Sequence, residues 1–168
     1  MKKILLILVS VLCFACEYDC EREYCKISVY YTNESSYIVD IDDINWQIVD
    51  NPDDNRCSGR GQHEATLKPN EKLKLFDGSL ACSTDNADIN PMMELFLPAS
   101  AIITIGERYQ VTSDNDRLKG EDLARQLALW HIDNYTAKRV GDQWTLTYTF
   151  TDADYEYAVE HGQRITEE

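Results

Sequence analysis

Apolar residues recur at every second position through most of this chain, and turn-forming residues interrupt them at short intervals. Ile27, Val29 and Tyr31 alternate with Ser28 and Tyr30, which predicts a strand with one buried face. Asn33-Glu34-Ser35-Ser36 reads as a turn, and Tyr37 to Ile41 as the returning strand. Ile44, Trp46 and Ile48 keep the period, with Asn45 and Gln47 facing the other way, before a loop at Asn51–Asn55. Ala65 and Leu67, then Leu73 and Leu75, predict two short strands around the turn Lys68-Pro69-Asn70-Glu71. Residues 77–91 are polar and read as a long loop. Leu95-Phe96-Leu97 is a short apolar run. Ala101 to Ile105 is a buried strand that turns through Gly106-Glu107-Arg108 into Tyr109-Gln110-Val111. Ser113 to Asp116 is another loop.

The last third carries the clearest signals. Leu123, Leu127 and Trp130 fall at helical spacing behind Glu121-Asp122, which suit a helix N-terminus; alternatively, Trp130 to Asp133 opens a strand. Tyr135–Val140 and Gln143–Phe150 predict a hairpin about Gly141-Asp142, with Trp144, Leu146, Tyr148 and Phe150 on its inner face. Thr151 precedes Asp154 by three positions, a capping-box pattern that predicts a short terminal helix. Roughly seven to nine short strands with frequent turns predict a mainly β protein, a β-sandwich with a short C-terminal helix. At 43% hydrophobic residues the chain can support one real core.

The N-terminus breaks the alternation. Lys2 and Lys3 precede an unbroken apolar run from Ile4 to Val9 that resumes at Val11 and Leu12, the pattern of a secretory signal peptide. The run is shorter than the roughly 20 residues a membrane-spanning helix needs. Leu12-Cys13-Phe14-Ala15-Cys16 resembles the lipobox of bacterial lipoproteins. That resemblance implies cleavage after Ala15 and lipid on Cys16, the acyl chains anchoring the protein at about 0.8 kcal/mol per buried methylene. An ordinary secreted protein cut after Ala15 is the other reading. Glu17-Tyr18-Asp19-Cys20-Glu21-Arg22-Glu23 resembles the surface-export signal of Bacteroidetes lipoproteins; a solvated tether explains the same charges. The expected organisation is a signal peptide over residues 1–15, an acidic lipidated tether over 16–24, one domain over 25–160 and a tail over 161–168. The expected location is the cell envelope, as an outer-membrane lipoprotein on its periplasmic or its outer face. Losing Lys2 and Lys3 takes the formal charge from −14 to −16. So acidic a chain repels phosphate backbones, which argues against nucleic acid as a partner, and it disfavours anionic lipid, leaving the acyl anchor as the membrane contact.

Of the six cysteines, Cys13 departs with the signal peptide and Cys16 takes the lipid. Cys20, Cys25, Cys57 and Cys82 remain, an even number in an oxidising compartment, open to three pairings. Cys57 with Cys82, both in polar loops, and Cys20 with Cys25 at the base of the tether, is the favoured set. A zinc site would want CxxC spacing or a nearby histidine pair, and these four cysteines have neither.

Three stretches resemble small Bacteroidetes lipoproteins of unknown function: Tyr30-Tyr31-Thr32-Asn33-Glu34-Ser35, the turn Leu67-Lys68-Pro69-Asn70-Glu71, and Tyr148 to Ala158. The family carries an "N-x-S" turn, a "PGE"-like turn and a "YT-x-T-x-x-DY" ending. Asn70 stands where the family commonly has Gly. The resemblance implies an immunoglobulin-like sandwich and assigns no catalytic residue.

Candidate chemistry is sparse. His63, His131 and His161 are far apart and lie in no metal motif, there is no GxSxG elbow, and Gly59-Arg60-Gly61 is too short to cradle phosphate. Asp40, Asp42 and Asp43, Asp50, Asp53 and Asp54, and Asp114 with Asp116 form three acidic clusters. None has the spacing of a calcium loop, so solvated loops are expected and no metal or other cofactor is assigned. Tyr30, Tyr37, Trp46, Trp130, Trp144 and Tyr148 would suit sugar stacking, but each falls on a strand-like pattern where core packing is the expectation. The expected function is a non-enzymatic binding module with a protein or glycan partner. A structural envelope component and a metal-dependent hydrolase using the acidic loops are the alternatives from other classes.

Overall fold

The computed structural model describes residues 23–47, 57–82, 93–114 and 127–165. The expected signal peptide, Cys16, Cys20, the expected loop at Asn51–Asn55 and most of the Leu118–Leu129 segment lie outside them. Among the described residues, ten strands form two five-stranded sheets. They are β1 (Glu23–Asn33), β2 (Val39–Trp46), β3 (Cys57–Gly61), β4 (Ala65–Leu67), β5 (Lys72–Cys82), β6 (Pro98–Ile105), β7 (Tyr109–Asp114), β8 (Tyr135–Val140), β9 (Gln143–Phe150) and β10 (Gln163–Arg164). The first sheet runs β3-β5-β1-β9-β8 and the second β10-β7-β6-β2-β4. One helix, α1 (Asp152–His161), and short 3-10 turns at Glu94–Phe96 and Ile132–Asn134 complete the described chain.

The period-two pattern does what the sequence predicts. Ile27, Val29 and Tyr31 on β1 and Leu146, Tyr148 and Phe150 on β9 are buried, and so are Val39, Ile41, Ile103 and Ile105 of the second sheet. These residues form one core to which both sheets contribute. Each fully buried aliphatic side chain contributes about 1.5–3 kcal/mol. The predicted hairpin of β8 and β9 forms in the expected register, and Thr151 caps α1 through the predicted capping box.

The hairpin expected about Asn33–Ser36 does not form. β1 pairs with β5 and, in parallel, with β9, whereas β2 pairs with β4 and β6 in the other sheet. β4 and β5, on either side of the Lys68–Glu71 turn, likewise belong to opposite sheets. A turn reports a change of direction, and both turns carry the chain across the core instead of back alongside itself. The "long loop" from residue 77 is also corrected, because β5 continues to Cys82. Trp130 to Asp133 begins no strand and leads into a 3-10 turn.

A β-bulge between Val29 and Tyr30 shifts the register of β5, opposing Val29 with Phe76 but Tyr30 with Lys74. Leu75 and Phe76 are consecutive yet both buried. The extra residue places Lys74 and Asp77 on the same outer face, within 3.1 Å of each other.

The three stretches with family-like turns meet at one corner. Asn33 N donates to Glu71 O at 2.9 Å, Asn70 N to Asn33 O at 2.7 Å, and Glu34 N to Phe150 O at 2.8 Å. The buried Asn33 side chain donates to Tyr37 O and Leu67 O and accepts from the Ser35 amide and hydroxyl, so its whole amide is satisfied. Asn70 sits at φ +64°, a left-handed conformation that Asn tolerates in place of Gly. At the ends, β1 starts at Glu23, and β10 pairs with β7 through Gln163 and Arg164.

Candidate functional site

The outer face of the first sheet gathers basic and hydroxyl side chains. Alternation turns Lys26, Ser28, Tyr30 and Thr32 of β1 outward. Opposite them, by register, stand Ser79, Asp77, Lys74 and Lys72 of β5 and Gln143, Thr145, Thr147 and Thr149 of β9. Arg60 of β3 faces Asp77, and Lys138 of β8 faces Thr145. Five cations thus share a face whose one acid, among the described strand residues, is Asp77. The chain as a whole carries −14.

The short side chains of Ser28 and Ser79 leave a trough of about 610 Å³ between longer neighbours. Lys26 and Gln143 stand at one end, Tyr30 and Lys74 at the other, and Arg60 along the β3 side. Ser28 is only 2% exposed although it lies on the outer face. Its hydroxyl donates to Asp77 Oδ1 at 2.7 Å, and Lys74 Nζ bonds Asp77 Oδ2 at 3.1 Å. The Ser28 hydroxyl, with help from Lys74 and Lys26 and against partial burial, holds the Asp77 carboxyl below the usual range. Asp77 stays ionised, with both oxygens engaged. Lys72 Nζ lies over the Tyr30 ring at 4.7 Å from its centre. Lys26 and Arg60 form no ion pair among the described residues.

The glycines of β3 explain how Arg60 is held here. A Cβ at Gly59 would fall 2.0 Å from Phe76 Cζ, and one at Gly61 would fall 2.1 Å from Trp46 Nε1. Gly59 and Gly61 therefore let β3 lie directly on two core aromatics, and the intervening Arg60 points outward. The Trp46 indole N–H donates to Gln62 O at 2.8 Å, fixing the end of the strand.

The residues singled out from the sequence land elsewhere. Cys57 and Cys82 are not in loops: they are the first residue of β3 and the last of β5, and their side chains lie outside those described. Cys25 is buried in β1 and disulfide-bonded, its partner being one of the cysteines outside the described side chains. The histidines stay apart in role. His63 Nδ1 lies 3.2 Å from Ile44 O, His131 Nδ1 accepts from Asp133 N, and His161 stacks on Tyr157 at the end of α1. Asp40 accepts from Thr66 Oγ1 at 2.6 Å, and burial together with Asp40, Glu64 and Asp43 pushes the Asp42 carboxyl up. Among the described residues no three His, Cys, Asp or Glu side chains are placed to hold a metal ion. The cluster at Asp50, Asp53 and Asp54 lies outside the described residues, as does Asp116.

Trp46 and Tyr148 are core residues as expected. Tyr31, Tyr135 and Tyr148 form a buried aromatic cluster, and burial raises all three hydroxyls well above the ordinary tyrosine range. Tyr30 is the exception: it is half-buried on the outer face and lines the trough. Sequence reasoning missed this face. The one available signal was the run of Lys, Ser, Tyr and Thr at the polar positions of two β-rich segments, 26–32 and 143–149.

Chemically, the trough offers cations, hydroxyls and an amide, with its one carboxylate bonded to Ser28 and Lys74. No protein-family model, no curated protein and no solved structure matches this chain.

Proposed function

We propose that the chain is a lipoprotein of the bacterial cell envelope, anchored through lipid on Cys16, and that it is a non-catalytic binding module with the outer face of the first sheet as its binding surface. Residues 1–16 and their likeness to a signal peptide and lipobox support the anchor. Two sheets around one core, with strands joined across it, are compatible with the immunoglobulin-like sandwich of the small Bacteroidetes lipoproteins it resembles. The observation that carries the binding reading is the gathering of Lys26, Arg60, Lys72, Lys74 and Lys138 on one face of an acidic protein. Acids on the outer side of the second sheet, such as Asp42, lie across the core from this face.

The test has two arms. Intact-mass analysis and protease shaving of whole cells should show an acylated native protein, and a Cys16→Ala variant should be released. Mature protein in detergent should retain an envelope glycan or protein that a Lys26→Glu/Arg60→Glu/Lys74→Glu variant loses while its circular dichroism stays unchanged. An unacylated native protein sinks the anchor. Ligand retention by the variant, or clean turnover of a substrate by the wild type, sinks the binding reading.

A further inference from the structure

We infer that the trough binds an acidic saccharide, a sugar unit bearing a carboxylate, with Arg60 and Lys26 receiving the acid group. The inference rests on the binding reading above and names the ligand class. Arg60 and Lys26 carry the argument, because among the described residues neither forms an ion pair: both Asp77 oxygens are occupied, by Ser28 and by Lys74. A planar guanidinium matches a carboxylate in two parallel bonds, and a lysine ammonium beside it adds charge without a second geometric demand.

The rest of the lining argues for a sugar over a peptide. β1 and β5 are interior strands whose main-chain groups pair with each other and with β9 and β3. A peptide laid across them finds no strand edge to extend, which is how β-domains usually take peptides. The trough presents side chains instead. Gln143 both donates and accepts, and Ser28, its proton committed to Asp77, accepts; sugar hydroxyls need such a mixture. The volume of about 610 Å³ falls inside the range of roughly 300–1,000 Å³ common for small-molecule sites.

The experiment is calorimetric titration of mature protein in detergent with oligogalacturonates and oligoglucuronates, and with their methyl esters. Esterification removes the charge and leaves the sugar ring and linkage. Binding of an acid that weakens about tenfold or more on esterification, and by a similar factor in Arg60→Gln and Lys26→Gln, is the expected result. Arg164→Gln, exposed on β10 of the second sheet, should change affinity less than about twofold, and all three variants should keep the wild-type melting temperature. Equal binding of acid and ester overturns the inference while leaving a glycan-binding module. Equal binding of a glutamate oligopeptide of matched charge overturns it in favour of an acidic protein partner. No binding of any saccharide overturns it too, and the envelope-retention experiment then decides the broader reading independently.

Discussion

One methyl group added at Gly59 should disturb both the core and the trough. An alanine Cβ there would sit 2.0 Å from Phe76 Cζ and 2.7 Å from Cε1. Non-bonded carbons settle near 3.5–4.0 Å, so strand or ring must give by about 1.5 Å. The ring has nowhere to go. Phe76 is 1% exposed, with the Trp46 ring centred 4.8 Å away and Phe96 at 5.9 Å. Overpacking of this kind costs about 1–3 kcal/mol. Removing glycine's freedom from the unfolded chain returns about 0.4–1 kcal/mol. The net expectation for Gly59→Ala is a loss of about 1–2 kcal/mol, or roughly 3–8 °C in melting temperature for a domain of this size.

The partner in the clash is known, so the reasoning can be tested by rescue. In a Phe76→Leu background the smaller side chain leaves room for the new Cβ, and the double variant should be more stable than the sum of the singles by at least about 0.5 kcal/mol. Gly61→Ala meets Trp46, not Phe76, and should show no such coupling. Urea denaturation of the four proteins measures all of this. A Gly59→Ala variant within about 0.5 kcal/mol of wild type, or additive with Phe76→Leu, would mean that β3 does not rest on Phe76. The account of how Arg60 is aimed would then fail as well.

Three other perturbations have definite signs. Asp154 is buried and accepts from the Thr151 amide at 2.7 Å, the Thr151 hydroxyl at 3.0 Å and the Tyr148 hydroxyl at 3.2 Å; Asp154→Ala should cost about 3 kcal/mol in urea melts, and less in a Tyr148→Phe background. Asp42 has a folded-state pKa raised by burial and by Asp40, Glu64 and Asp43, so its ionisation opposes folding. That cost is absent below its unfolded pKa and grows as pH rises through the folded one; Asp42→Asn should therefore raise the melting temperature at pH 7, and the gain should shrink in acid and in high salt. Ser28→Ala removes the main influence depressing Asp77, so NMR titration should show the Asp77 pKa moving up toward the ordinary carboxylate range; an unmoved titration would refute the Ser28–Asp77 bond.

Local signals predicted the elements well. The alternation at 27–31 and 144–150, the Gly141-Asp142 turn and the Thr151–Asp154 cap each express a short-range rule, and each appears where expected. Pairing was not legible, because a turn such as Asn33–Ser36 looks the same whether the next strand returns alongside or crosses the core. Asn33 decides it here, by bonding forward to Tyr37 and across to Leu67 of the second sheet. The reach of β5 was hidden for a different reason. A bulge makes Leu75 and Phe76 both face inward, so the polar positions beyond them fall out of phase and resemble a loop.

The same bulge explains why the trough escaped notice while the turns stood out. Its cations come from residues 26, 60 and 74, on three strands, and they share a face only through the shifted register of β5 against β1 and the glycine contacts of β3. The turns around Asn33 and Asn70, by contrast, are read within a few residues, and their bonds are spent on holding the sheets together at one corner. In this chain the recognisable motifs stabilise the scaffold, and the chemistry lies at polar positions that no motif marks. A substitution at Arg60 or Lys26 can thus change what the face attracts without touching the corner that shapes the fold. A substitution at Asn33 would be expected to unfold the domain without revealing anything about its ligand.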